Sequence, residues 1–90
     1  MRLGIAKRAR EDLARIWDFN LQRSDRSAEK VQLRLLERAM GLLVAPRSGR
    51  QITKAGIRRL SVPDIQYVID YRQDSEVVQI MRIRHSREIR

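Results

Sequence analysis

The sequence predicts one α+β domain: an N-terminal strand, an antiparallel helical hairpin, then a three-stranded antiparallel meander, in the order β-α-α-β-β-β. Three observations lead there. Apolar residues recur at helical spacing from about Lys7 to Leu43, β-branched and aromatic residues dominate three short runs after Gly56, and a loop marked by Pro46 and Gly49 separates the two regimes. Ninety residues make one domain, 1–90, and 42% hydrophobic residues supply apolar surface for a modest core.

The elements follow in order. Leu3 and Ile5 alternate with Arg2 and Gly4, the period of a half-buried strand. Ala9, Leu13, Ile16, Trp17 and Leu21 then form one apolar stripe on a first helix, with Trp17 read as core and Arg10, Glu11, Asp12, Arg15 and Asp18 at the remaining positions. Asn20 to Ser27 is a polar break in which Asp25 or Ser27 caps a second helix, with Glu29 in its first turn. Ala28, Val31, Leu35, Ala39 and Leu42 line that helix, and Leu36, Met40 and Leu43 widen its face. Proline cannot continue a helix and glycine permits turn dihedrals, so the helical region ends at Pro46 and Gly49, and a loop runs to about Gly56. Strands are expected at Ile57 to Val62, Ile65 to Arg72 and Val77 to Arg84, joined by the short turns Pro63-Asp64 and Gln73 to Glu76. With the N-terminal strand these make a four-stranded sheet, whose apolar face the two helices cover. Tyr67, Ile69 and Tyr71 alternate along the middle run, so the tyrosines are placed under the helices with their hydroxyls near an edge.

Composition limits the function classes. The 20 basic residues outnumber the 11 acidic ones, giving a formal charge of +9, and 17 of the 20 are arginine. This implies a negatively charged partner, either nucleic acid or an acidic protein segment. No cysteine means no disulfide framework and no thiolate zinc site, and with one histidine only carboxylates remain for a metal, whose placement among arginines suggests ion pairs, so no metal or other cofactor is expected. No apolar run reaches the length of a membrane span and no apolar signal core follows Met1, so a cytosolic protein without a membrane partner is expected. Neither a phosphate-binding glycine loop, nor a dinucleotide fingerprint, nor a serine nucleophile elbow is present.

Candidate site residues cluster in the C-terminal half. His85, the only histidine, is the side chain best suited to acid/base work near neutral pH; its other reading is a structural hydrogen-bonding group at a strand end. Arg82 and Arg84, two residues apart, share a face of the last strand, and burying both guanidinium groups under the helices would be costly, so part of that face is expected to be open. Arg58, Arg72 and Arg87 are possible neighbours in the same basic patch, although Arg58 and Arg59 cannot both face it. Leu33 and Leu36 are exposed apolar residues of the hairpin suited to a groove, and the sheet edges invite a further chain.

Five segments in order resemble one family. Ala9-x-x-Asp12-Leu13-x-x-Ile16-Trp17-x-Phe19 looks like the opening helix of ParE-type toxins in the RelE/ParE superfamily of bacterial toxin–antitoxin systems. Leu43 to Arg50, with Pro46, Gly49 and Arg50, resembles its P-x-x-G-R loop. Gly56-x-Arg58-x-Leu60 and Tyr67-x-Ile69-x-Tyr71-Arg72 resemble two of its strands, and Val78-x-Ile80-x-Arg82-Ile83-x-His85-x-Arg87 its closing segment. The resemblance implies a RelE/ParE-like fold and a bacterial, cytoplasmic toxin that arrests growth and is neutralised by a cognate antitoxin, as in plasmid-stabilisation systems. The ParE branch implies inhibition of DNA gyrase by binding, without catalytic residues or cofactors; the RelE branch implies a ribosome-dependent endoribonuclease cutting mRNA. Under the ribonuclease alternative His85, Arg58 and Arg82 are the catalytic candidates. Val68 stands after Tyr67 where RelE-type enzymes place an arginine, and valine cannot stabilise a phosphorane. The sequence also reaches Arg90 without the tyrosine-bearing C-terminal helix of many RelE-type ribonucleases. Both departures lead to the ParE branch as the expectation. The antitoxin segment is expected to be acidic and amphipathic, and Arg58, Arg72, Arg82, Arg84, His85, Arg87, Leu33 and Leu36 are the candidates for contact with the antitoxin or with the target.

Overall fold

The computed structural model describes residues 1–89. Strand β1 (Arg2–Ile5) leads into helix α1 (Lys7–Leu21) and helix α2 (Asp25–Gly41); strands β2 (Arg50–Gln51), β3 (Arg58–Val62), β4 (Tyr67–Asp74) and β5 (Val77–His85) follow, and a single 3-10 turn spans Ser86–Glu88. The α+β order agrees with the pattern in the sequence, but the sheet has five strands, ordered β1-β5-β4-β3-β2. The additional strand lies inside the segment expected to be loop: Arg50 and Gln51 pair antiparallel with Arg59 and Arg58. Two residues carry no readable period, so the sequence pattern gave no sign of it. β1 pairs parallel with β5, and the three strands β3 to β5 form the antiparallel meander.

The helices begin and bury differently from the simple pattern. Ser24, not Asp25 or Ser27, caps α2: its Oγ accepts the Ser27 N–H at 3.0 Å, and Asp25 is the first helical residue, where its charge favours the helix N-terminus. On α1 the buried line is Ala9, Asp12, Ile16 and Asn20, while Leu13 and Trp17 are half-buried and Leu21 is exposed. Asp12, expected on the solvent side, and Trp17, expected in the core, are thus rotated relative to the stripe. Two polar residues take the innermost positions because each has a partner: Asn20 Nδ2 donates to the Ile16 carbonyl at 2.9 Å and to the Tyr67 hydroxyl at 3.2 Å, and Asp12 is held as described next.

The ladder between β1 and β5 stops at Ile5 and Ile80. Beyond it the edge of β5 has no strand beside it, and α1 covers that edge. The Ile83 N–H, which a continuing strand would satisfy, donates to Asp12 Oδ2 at 2.9 Å; Arg82 Nε donates to the same oxygen at 2.9 Å, and Arg15 to Oδ1 at 2.8 Å. Burial alone would raise the Asp12 carboxyl, but these three hydrogen bonds outweigh it and hold it below the ordinary carboxylate range.

A second feature shapes β5. Asp70 pairs with Arg82 and Tyr71 with Ile80, so Met81 is an extra residue, a β-bulge. Val78 and Ile80 face the helices before it and Ile83 after it, and Arg82 and Arg84 consequently turn to the opposite face. The core thus runs from Ala9, Ile16, Val31, Leu35 and Leu42 on the helices to Leu60, Ile69, Tyr71, Val78, Ile80 and Ile83 on the sheet.

Tyr71, fully buried, holds the loop before β2. Its hydroxyl donates to the Pro46 carbonyl at 2.8 Å and accepts the Gly49 N–H at 2.8 Å. A Cβ on Gly49 would lie 2.6 Å from that hydroxyl and 3.0 Å from the Arg59 carbonyl oxygen, so only glycine lets the loop approach.

Asp12→Asn keeps an acceptor for Ile83 but loses the charge that binds Arg82, so urea unfolding near neutral pH is expected to show a loss of about 3 kcal/mol. A depressed carboxyl stabilises the fold above the unfolded value of about 3.9, and that contribution is lost as pH falls through the folded value; the gap between the parent and Asp12→Asn should narrow as pH is lowered from about 6 to about 2. Gly49→Ala should cost about 1–3 kcal/mol in the same measurement, because either the Tyr71 ring or the loop must shift.

Candidate functional site

The arginine face of the sheet is organised by two buried carboxylates. Asp70 lies in an otherwise apolar run of β4; it receives Arg59 through Nε at 2.6 Å and Nη2 at 2.9 Å, and Arg84 through Nη2 at 3.0 Å. Asp12 receives Arg82 and Arg15 as described, and Arg15 also lies 3.8 Å from Glu88. The hydrogen bond from Asp12 also pushes the Arg82 guanidinium further up from its ordinary range, so it stays charged. The guanidinium groups are one-quarter or less exposed apart from Arg84 at 27% and Arg15 at 52%. This face is therefore a fixed set of ion pairs, not the free basic patch that charge alone suggests.

The expected site residues are placed as follows. Arg82 and Arg84 share the face and serve different aspartates. Arg59, not Arg58, joins them; Arg58 points its Nη1 to the Gly49 carbonyl at 2.7 Å and the Arg47 carbonyl at 3.3 Å. Arg72 pairs with Asp74 at 2.9 Å, near the β4–β5 turn. His85 closes β5: its ring meets Tyr67 edge-on at 5.3 Å, its Nδ1 accepts the Arg87 N–H at 3.1 Å, and Glu88 accepts the His85 N–H at 3.2 Å. An imidazole nitrogen that accepts a backbone N–H is committed to a turn. Arg87 itself is exposed in that turn.

The opposite side of the molecule is apolar. Leu33 is 65% exposed, Leu36 51% and Met40 48%, all on the outer surface of α2. Leu36 also lines a cleft of about 200 Å³, floored by Leu3, Ile5, Leu13, Leu35, Ile80 and Ile83, where the helices do not fully cover β1 and β5. Arg34 of α2 bonds to Asp64 at 2.7 Å and to Glu37, which pins the middle of α2 to the turn between β3 and β4. The sheet therefore offers fixed charge and the hairpin offers exposed apolar area.

Sequence reasoning passed over Asp12 and Asp70, the residues that arrange the arginines. Each carried a signal: Asp12 stands at i+3 from Ala9 and i−4 from Ile16, and Asp70 interrupts Ile69 and Tyr71. A lone charge inside an apolar pattern calls for a buried partner.

Residues 3–90 match the family described as ParE toxin of type II toxin-antitoxin system, parDE. The chain belongs to the ParE toxin family. Among solved structures, the chromosomal ParDE TA system from P. aeruginosa is similar in fold, with a TM-score of 0.82, 24% identity, and coverage of 94% of this chain and 95% of that one. None of the curated proteins matches. The ParE assignment accounts for the order of elements, and a type II system pairs the toxin with an antitoxin. Among the described residues no helix is long and apolar enough to cross a membrane, and no group of three or more His, Asp or Glu side chains gathers to hold a metal.

The two faces should respond differently to substitution. Arg82→Ala is expected to lower stability by about 1–3 kcal/mol by removing a charged hydrogen-bond donor from buried Asp12. Leu33→Glu should change urea unfolding by no more than about 0.5 kcal/mol, since its side chain is mostly in solvent, and Leu36→Glu should cost about 1 kcal/mol, since half of its side chain lies on the apolar cleft.

Proposed function

We propose that this toxin arrests bacterial growth by binding DNA gyrase in the cytoplasm, and that an acidic, amphipathic antitoxin segment neutralises it on the hairpin face around Leu33 and Leu36. The observation that carries the reading is the commitment of the polar groups that RNA cleavage would need. A ribonuclease needs a group to take the 2′-hydroxyl proton and free cations to stabilise a charged phosphorane. Here His85 Nδ1 accepts a backbone N–H, Arg82 and Arg84 are bonded to Asp12 and Asp70, and Arg58 is bonded to backbone carbonyls. Val68, an apolar side chain, stands between Arg84 on β5 and Ser61 on β3. A surface whose charges are already fixed suits binding to a protein better than turnover of a phosphodiester.

The experiment is induction of the toxin in bacteria without its antitoxin, with DNA and protein synthesis followed by pulse labelling over the first minutes. Early loss of DNA synthesis while protein synthesis continues is the expected result, and His85→Ala should leave it unchanged. Early loss of protein synthesis that His85→Ala abolishes would transfer the function to mRNA cleavage on the ribosome. For the antitoxin, the folded Leu33→Glu/Leu36→Glu variant should bind at least tenfold more weakly; equal binding would remove the hairpin face from the complex.

A further inference from the structure

Between Glu37 and Asp64 the chain has no acidic residue, yet it carries Arg38, Arg47, Arg50, Lys54, Arg58 and Arg59. Arg59 is paired with Asp70, Arg58 is bonded to carbonyls and Arg38 is half-buried on α2, which leaves the side chains of Arg47, Arg50 and Lys54 exposed and without an ion-pair or hydrogen-bond partner among the described residues. Arg50 stands directly across from Arg59, whose own charge Asp70 already takes up, so Arg50 is the uncompensated cation of that pair.

The loop that presents these cations is nonetheless held rigidly. The Tyr71 hydroxyl binds both Pro46 and Gly49, Arg58 binds the Gly49 carbonyl from the other side, Ser48 Oγ donates to the Ala45 carbonyl at 2.6 Å, and the Ile52 N–H donates to Ile57 at 2.8 Å. A buried tyrosine and a half-buried arginine thus fix a polar segment whose exposed charges are all positive and all unused. A backbone already held in place removes part of the ordering cost of binding an anion.

From this we infer that the segment from Arg47 to Lys54 is a docking surface for the phosphodiester backbone of a nucleic acid. An acidic protein segment is the less suited partner: the large exposed apolar side chains, Leu33, Leu36, Met40 and Val44 among them, all lie outside residues 45–56, so the loop lacks the buried anchor that a protein interface relies on. Phosphate contacts need only cationic donors. The surface lies apart from Leu33 and Leu36 on α2, and it does not depend on which target the toxin arrests.

The test is fluorescence anisotropy of the full chain with a 20-base-pair DNA duplex, a single-stranded RNA of equal length, and polyglutamate, each over a range of salt. Three phosphate contacts contribute about 2.7 to the slope of log affinity against log salt, a loss of roughly 40-fold between 50 and 200 mM for duplex DNA. The triple variant Arg47→Gln, Arg50→Gln, Lys54→Gln should lose that share of the slope and bind at least tenfold more weakly at about 50 mM salt. The control Arg8→Gln, Arg23→Gln, Arg26→Gln, which removes the same charge from the helices and the turn between them, should keep it. Loop-dependent binding of duplex or of RNA supports the surface and tells which nucleic acid it takes. Equal loss in both triple variants would reduce the effect to net charge, and loop-dependent binding of polyglutamate as tight as that of the nucleic acids would make the surface one for acidic protein; either result overturns the inference.

Discussion

One carboxylate stands where a strand would otherwise continue. β1 pairs with β5 for four residues and then gives way to α1, so the outer edge of β5 needs an acceptor from the helix. Asp12 Oδ2 takes the Ile83 N–H and, with the same atom, Arg82. Because the charge is buried, it is tolerated only with these donors present, and their geometry fixes how α1 lies on the sheet. Through Arg15 the contact extends to Glu88, which accepts the His85 N–H, so the helix, the sheet edge and the C-terminal turn form one connected network.

Asp70 does for the middle of the sheet what Asp12 does for its edge. Arg59 and Arg84 reach it from the strands on either side, so two aspartates absorb four guanidinium groups that net charge alone would count as free. What then distinguishes the surface is the cations that the fold leaves alone. Those at Arg47, Arg50 and Lys54 sit on a loop braced by Tyr71, while the hairpin presents Leu33, Leu36 and Met40 on another face. A small chain thereby carries its unpaired loop cations and its exposed leucines on different elements.

The P-x-x-G-R segment acquires a physical reason in the structure. Residue 46 offers its backbone carbonyl to Tyr71, and Gly49 supplies both an N–H and the absence of a side chain, so a Cβ at position 49 would force the tyrosine to move. Asp12 in the first helical motif is explained in the same way. Arg50, the last residue of the loop motif, takes no part in this brace.

Much of the fold was legible in local patterns. Helical spacing, the polar break before α2, the proline and glycine of the loop, and the β-branched runs determined the order β-α-α-β-β-β, because each depends on neighbours a few residues apart. The ordered motifs determined the family for the same reason. What the sequence did not determine depended on contacts across the chain. The extra residue Met81 turned Arg82 and Arg84 away from the helices, and a bulge is set by pairing with β4. The two-residue β2 exists only because β3 lies beside it. Asp12 became a core residue because a free N–H seventy-one positions away required an acceptor, and His85 became a turn cap because Arg87 and Glu88 fold back onto it. Burial and partnership decide what a charged side chain does, and only the tertiary structure brings those partners together.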